Sequence, residues 1–99
     1  MKPDKDRLDK WLWHARFFKT RRLSAELVAK GRVRLNGSRV HKPAQAVGPN
    51  DVLTFPQSGR VRVVRVIGTA LRRGPATEAE RLYEDLEPGQ VQVSGTAPS

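Results

Sequence analysis

The sequence predicts a single α+β domain in which a helical hairpin packs on a small antiparallel sheet. Three observations lead there. Leu8, Trp11, Leu12, Ala15 and Phe18 recur at the i, i+3, i+4, i+7 and i+10 spacing of one helix face. Asn36-Gly37 lies between two short alternating segments, a strong short-range signal for a two-residue hairpin turn. Residues 60–68, RVRVVRVIG, are β-branched and alternating, as a half-buried strand requires. At 99 residues the chain has the length of one small domain.

The first helix is expected over Arg7–Phe18, with Asp4 or Asp6 available as its cap. Trp13 and Phe17, at i and i+4 on another side of this helix, leave two readings open: packing against the rest of the domain, or stacking on unpaired bases. Lys19-Thr20 then joins a second helix in which Thr20 is the N-cap, Leu23, Leu27 and Val28 make the apolar contacts, and Gly31 ends the helix.

In the next segment, GRVRLNGSRVHKP, the two-residue turn sets Leu35 opposite Ser38, Arg34 opposite Arg39, Val33 opposite Val40 and Arg32 opposite His41. Val33, Leu35, Ser38 and Val40 share one face; Arg32, Arg34, Arg39 and His41 share the other. A turn at Gly48-Pro49-Asn50-Asp51 leads into a strand over Val52–Phe55, and Ser58-Gly59 turns the chain again. The following strand shifts phase between Val63 and Val64, which predicts a bulge or a bend. Thr77-Glu78-Ala79-Glu80 reads as a capping box opening a C-terminal helix through Leu82, Tyr83 and Leu86, ended by Pro88-Gly89. The chain divides into an N-terminal arm (1–6), a domain (7–86) and a flexible tail (87–99).

Charge narrows the function. The net charge is +9, and residues 1–50 hold 13 Lys/Arg against 4 Asp/Glu, whereas residues 51–99 hold 6 of each. Such a local excess is the footprint of a surface for a polyanion, chiefly nucleic acid. Two places violate local rules to create it. The second helix starts on Lys19, Arg21 and Arg22, where the helix dipole favours acids, and its only acid, Glu26, lies further in. Arg34 opposite Arg39 is a like-charge cross-strand pair that costs a few tenths to ~1 kcal/mol. An anion relieves both, so a phosphate site at the Thr20 helix start and an arginine track along the hairpin are expected.

Catalysis has no comparable support. With no cysteine there is no disulfide, thiol nucleophile or cysteine zinc site. His14 and His41 lack metalloprotease spacing, and Ser24, Ser38 and Ser58 lie in no nucleophile motif. Glu78, Glu80, Glu84 and Asp85 read as a solvated helix face, and no glycine-rich loop fits a nucleotide. No enzyme activity, metal, cofactor or small-molecule substrate is expected. No apolar run approaches the ~20 residues that span a bilayer, and no signal-type segment is seen, so the expected compartment is the cytoplasm with no membrane partner.

The segments RLDKWLWHARFFKTR, GRVRLNG, KPAQAVGPNDVLTF and RRGPATEAERLYEDL resemble the heat shock protein 15 family, whose core is the S4-like (alpha-L motif) RNA-binding domain; the resemblance runs from about Arg7 to Leu86. It implies RNA contacts at Arg16, Lys19, Thr20, Arg21, Lys30, Arg32 and Arg34, to which the charge pattern adds Arg22, Arg39 and His41. It also implies a ribosome-associated stress protein that binds ribosomal RNA of the large subunit and rescues or recycles subunits holding a stalled nascent chain on tRNA. A monomer is expected. Longer members can continue into a basic C-terminal extension, whereas about a dozen uncharged or weakly acidic residues follow Leu86 here, and KPAQ stands for the more usual KPS. Two rival readings are a helix-turn-helix DNA-binding regulator and an RNA-binding accessory module of an RNA-modifying enzyme such as a pseudouridine synthase.

Overall fold

The apolar stripe at the N-terminus forms α1 (Leu8–His14) in a computed structural model that describes residues 5–86. Leu8, Trp11, Leu12 and the following Ala15 are buried. The helix ends four residues before the expected Phe18, because Arg16 takes up a left-handed conformation (φ 67°). The Arg16 N–H donates to the Trp13 carbonyl and the Phe17 N–H to the Leu12 carbonyl, which is a Schellman closure with arginine in the usual glycine place. The reversal drops Phe17 into the core, 4.6 Å from the Tyr83 ring centroid and 5.1 Å from that of Phe55. Phe17 is therefore a core residue, and the linker is Ala15–Thr20 rather than Lys19-Thr20 alone.

Among the described residues no side chain caps α1: Arg7 is its N-cap residue, and Asp6 lies in a strand. Asp4 lies outside the described residues. The second helix, α2 (Arg21–Ala29), starts as expected, with Thr20 Oγ1 accepting from the Leu23 N–H at 3.1 Å. It ends at Gly31 (φ 73°) in a second Schellman closure. Its packing differs from expectation. Leu23 is 47% exposed, and fully buried Ser24 takes its place against α1, donating to the Asp9 carbonyl at 2.7 Å.

Two short strands, β1 (Asp6–Arg7) and β4 (Ala46–Val47), pair beside α1. The main sheet is antiparallel, in the order β3 (Ser38–Val40), β2 (Val33–Leu35), β5 (Val52–Gln57), β6 (Arg60–Val66), β7 (Tyr83–Asp85). Both tight hairpins have positive φ at their two central residues, Asn36-Gly37 and Ser58-Gly59, as type I′ turns demand. Val33↔Val40, Arg34↔Arg39 and Leu35↔Ser38 pair as expected, and the ladder closes there without Arg32 and His41. The Gly48–Asp51 turn is fastened by Asp51, which accepts from the Gly48 N–H at 2.9 Å.

Two further expectations fail. The β5–β6 register runs unbroken from Val52↔Arg65 to Gln57↔Arg60, so there is no bulge at Val63-Val64; the phase shift arises because Val63 is buried as well as Val64, on opposite sides of the strand. The C-terminal helix is a single turn, α3 (Ala76–Ala79), continued by a 3₁₀ turn over Glu80–Leu82. Pro75, not Thr77, is the N-cap residue, so the capping box does not form. Tyr83–Asp85 instead covers the edge of β6, which a longer helix would have left unpaired. Pro88-Gly89 and the tail lie outside the described residues.

The inner face of the sheet supplies Val33, Leu53, Phe55, Val64 and Val66 to one core shared with α1, Phe17, Val28 and Val47. Residues 68–74 are held to the helices by long-range hydrogen bonds. Trp11 Nε1 donates to the Gly68 carbonyl (2.8 Å), Arg16 Nε to that of Gly74 (2.8 Å), and Arg73 to those of Trp13 (3.0 Å) and Phe18 (3.3 Å). Trp13 is half-buried beneath the Arg73 guanidinium, 5.5 Å from its ring centroid.

Gly31 lacks both conformational and spatial room for a side chain: a Cβ there would sit 2.7 Å from His41 Nε2. Gly31→Ala is expected to lower stability by about 1–2 kcal/mol, mostly from the left-handed backbone, read as a shift in the urea midpoint. His14 is buried, with Nδ1 3.7 Å from an Asp6 carboxylate oxygen. Burial pushes its pKa below the ordinary 6.5, Asp6 opposes that, and Lys10, Arg21 and Arg73 reinforce it. The unfolded chain thus takes up the proton first as pH drops, so this contribution to stability is full above about pH 6.5 and is lost below it. Urea midpoints measured from pH 7.5 down to 5.5 should decline, and His14→Gln should flatten that slope.

Candidate nucleic-acid interface

The outer face of the sheet is where strand alternation places the hairpin arginines. Arg34 and Arg39 are direct cross-strand partners, and the row continues through Thr54 of β5 to Val63 of β6. Arg34 reaches across its own turn to the Gly37 carbonyl at 3.3 Å. Arg32 and Arg34 together border an open groove formed by Thr54, Phe55, Pro56 and Val61. Arg39 and His41 both lean on Gly31, which links the second hairpin strand to the end of α2.

The distribution of carboxylates separates the cations into two kinds. Among the described residues, Arg7 and Arg21 pair with Asp9, Arg22 with Glu26, Arg62 with Asp85, Arg65 with Glu84 and Arg72 with Glu78. Lys19, Lys30, Arg32, Arg34 and Arg39 have no carboxylate among the described residues. All five are exposed.

The helix start is less anomalous than the sequence implied. Arg21 Nε lies 3.5 Å from the buried Asp9 carboxylate, so α1 supplies the acid that the first turn of α2 lacks. Arg22 is satisfied within its own helix at 3.1 Å. Among the described residues, Lys19 alone is left without a carboxylate there. The Thr20 hydroxyl already caps one N–H.

Arg16 is not brought to the hairpin arginines. Its bond to Gly74 places it beside a recess on the opposite flank, with Arg62 and Tyr83. Three residues that position this surface carried no local signal in the sequence. Asp9 and Ser24 join α1 to α2, and Arg73 fixes the linker on which Lys19 and Thr20 sit. Among the described residues there is no cluster of three His, Asp or Glu side chains able to hold a metal, and no helix is long and apolar enough to cross a membrane.

The S4 domain family matches residues 6–53. Heat shock protein 15 of Escherichia coli K12 is 48% identical over 79 residues, covering 80% of this chain and 59% of that protein. The homologue from Aeromonas salmonicida is 43% identical over 81 residues, covering 82% and 61%. The chain thus spans about three-fifths of the length of these curated relatives. Small ribosomal subunit protein uS4 of Aquifex aeolicus is 39% identical over 54 residues, 54% of this chain and 26% of that one. Among solved structures, a trimeric structure of Vibrio cholerae heat shock protein 15 superposes with a TM-score of 0.79 at 35% identity, covering 89% of this chain and 87% of that one.

Arg21→Glu sets a carboxylate against buried Asp9 and is expected to cost about 1 kcal/mol or more. Lys19→Glu should be close to neutral, since an acid there meets the helix dipole favourably. Urea unfolding of both variants checks the difference.

Proposed function

The chain belongs to the heat shock protein 15 family, and from that premise we propose that it binds ribosomal RNA of the large ribosomal subunit through residues 7–86, without catalysing a reaction. The observation that carries this reading is the Arg34–Arg39 cross-strand pair, two like charges side by side on an exposed sheet face with no carboxylate paired to them among the described residues. A sheet keeps such a pair at a cost of up to ~1 kcal/mol, and a phosphate backbone removes that cost.

In this reading Arg32, Arg34, Arg39 and His41 follow one stretch of RNA backbone. Lys19, Thr20, Lys30 and the free N–H groups at the start of α2 take a neighbouring stretch. Arg21 and Arg22 serve both the fold and the RNA, while Arg16 contacts RNA from the other flank. Phosphate contacts set register and orientation, so recognition comes from RNA shape. Rescue or recycling of stressed large subunits that hold a stalled nascent chain on tRNA is the role the family membership favours, with the cytoplasm as the compartment. A single copy is sufficient for these contacts; the trimer described for the Vibrio cholerae protein makes the mass in solution a direct test.

Sedimentation of tagged protein after translational stress should place it with free large subunits, and a position only at the top of the gradient refutes the ribosomal reading. Replacing both Arg34 and Arg39 by Ala should lower the slope of log affinity against log salt by about two, one for each phosphate that is no longer neutralised. The fold should remain as stable or gain slightly, because the like-charge pair is gone. Duplex DNA should compete poorly against ribosomal RNA; equal competition would favour a DNA-binding regulator.

A further inference from the structure

A recess of about 220 Å³ opens between the α1–α2 linker and the C-terminal segment, away from the hairpin arginines. Arg16, Arg62, Gln57, Glu80 and Tyr83 line it, and Ala76 is one of the small residues that leave it open. The volume corresponds to about seven waters at ~30 Å³ each, the scale of one planar heterocycle and too little for a folded partner.

Each wall is prepared by the fold. Arg62 stands on the apolar inner face of β6, with its guanidinium carbon 5.2 Å above the Phe17 ring. Gln57 Oε1 accepts from it at 2.8 Å and Asp85 at 2.9 Å, so its plane is fixed. Its Nε–H is buried and meets no acceptor among the described residues, so a base in the recess would meet the remaining Nη hydrogens instead. Arg16 is held in a left-handed conformation, with its Nε bound to the Gly74 carbonyl, and the rest of its guanidinium has no acceptor among the described residues. Glu80 pairs with no cation among the described residues and adds an acceptor. Guanidinium planes, an aromatic ring, an amide, and hydrogen-bonding groups of both kinds form the setting in which an unstacked base is held and read at its edge. A phosphate fits less well, because the Glu80 carboxylate repels it.

We propose that this recess takes an unpaired nucleobase of the bound RNA, with Arg16 or Tyr83 against its face, Arg62 donating to its ring or carbonyl acceptors, and Glu80 accepting from its amino group. The inference rests on the RNA-binding reading and extends it to a second contact area. It accounts for Arg16, which the hairpin surface leaves aside. A base with an exocyclic amino group is preferred over uracil.

The test is NMR titration of the chain with a hexanucleotide of adenosines, with its abasic counterpart and with hexauridine, following backbone amides and the Arg62 Nε–H. Hexaadenosine should shift Arg62 Nε–H and the Ala76 and Ala79 amides, and hexauridine should do so less. The abasic strand should shift only hairpin signals. Ala76→Trp fills the recess and should abolish the recess shifts and weaken hexaadenosine binding about tenfold. Glu80→Gln, at an exposed site, is a milder variant that should reduce the preference for adenine over uracil. Recess shifts produced equally by the abasic strand would overturn the proposal, since phosphate alone would explain them. Hairpin shifts with a silent recess would overturn it while leaving RNA binding intact, and silence at both would remove RNA binding as well.

Discussion

The buried carboxylate of Asp9 is the constraint on which the helical hairpin depends. It sits in the first turn of α1, where the dipole favours it, and accepts from Arg7 at 3.1 and 3.2 Å and from the Lys10 N–H at 2.7 Å. Arg21 approaches from α2, and the Asp9 carbonyl takes the Ser24 hydroxyl. One residue thus sets both the lateral position of α2 and its rotation. A carboxylate this deeply buried requires its partners, because desolvation is repaid only by close charge and hydrogen bonds. The direction of α2 then determines where Gly31 turns and where the hairpin emerges.

The same constraint sorts the basic residues. A count of charge treats 19 Lys and Arg as equivalent. The fold does not: Arg7, Arg21, Arg62 and Arg73 are committed to carboxylates, carbonyls or aromatic faces. Arg22, Arg65 and Arg72 also have carboxylates; of the cations without one among the described residues, Lys19, Lys30, Arg32, Arg34 and Arg39 form an exposed series from the helix start to the hairpin. That series combines the uncommitted charge of the N-terminal half with a flat, arginine-bearing sheet face. Guanidinium groups suit phosphate geometry, and their fork is partly preorganised.

Much of this was legible locally. Asn36-Gly37 dictates both turn and register, so the Arg34–Arg39 pair could be read from the sequence, as could the Thr20 cap and the Gly31 termination. What was not legible depends on partners distant in the chain. Arg16 carries no glycine signal for the left-handed conformation that ends α1; it is held by tertiary contacts, including Gly74. Val63 and Val64 are both buried, which mimics a register slip. The residues at 83–85 follow a helix-opening pattern, yet an unpaired edge on β6 outweighs that preference. Arg21 looked like a misplaced cation because its acid is on another helix.

The bonds from Trp11 to Gly68, Arg16 to Gly74 and Arg73 to Trp13 each join residues 57 to 60 positions apart. The matched S4 segment, 6–53, therefore ends before its own indole acceptor, its linker clamp and β6, the second strand that pairs with β5, have been made. During synthesis, which runs from the N-terminus, the helical hairpin is translated before residues 68–74 that fasten it. Loop closure over such separations makes for slow folding. Until residues 68–74 have been made, the uncommitted cations belong to a partly formed surface, because the bonds that fasten α1 and its linker are still missing.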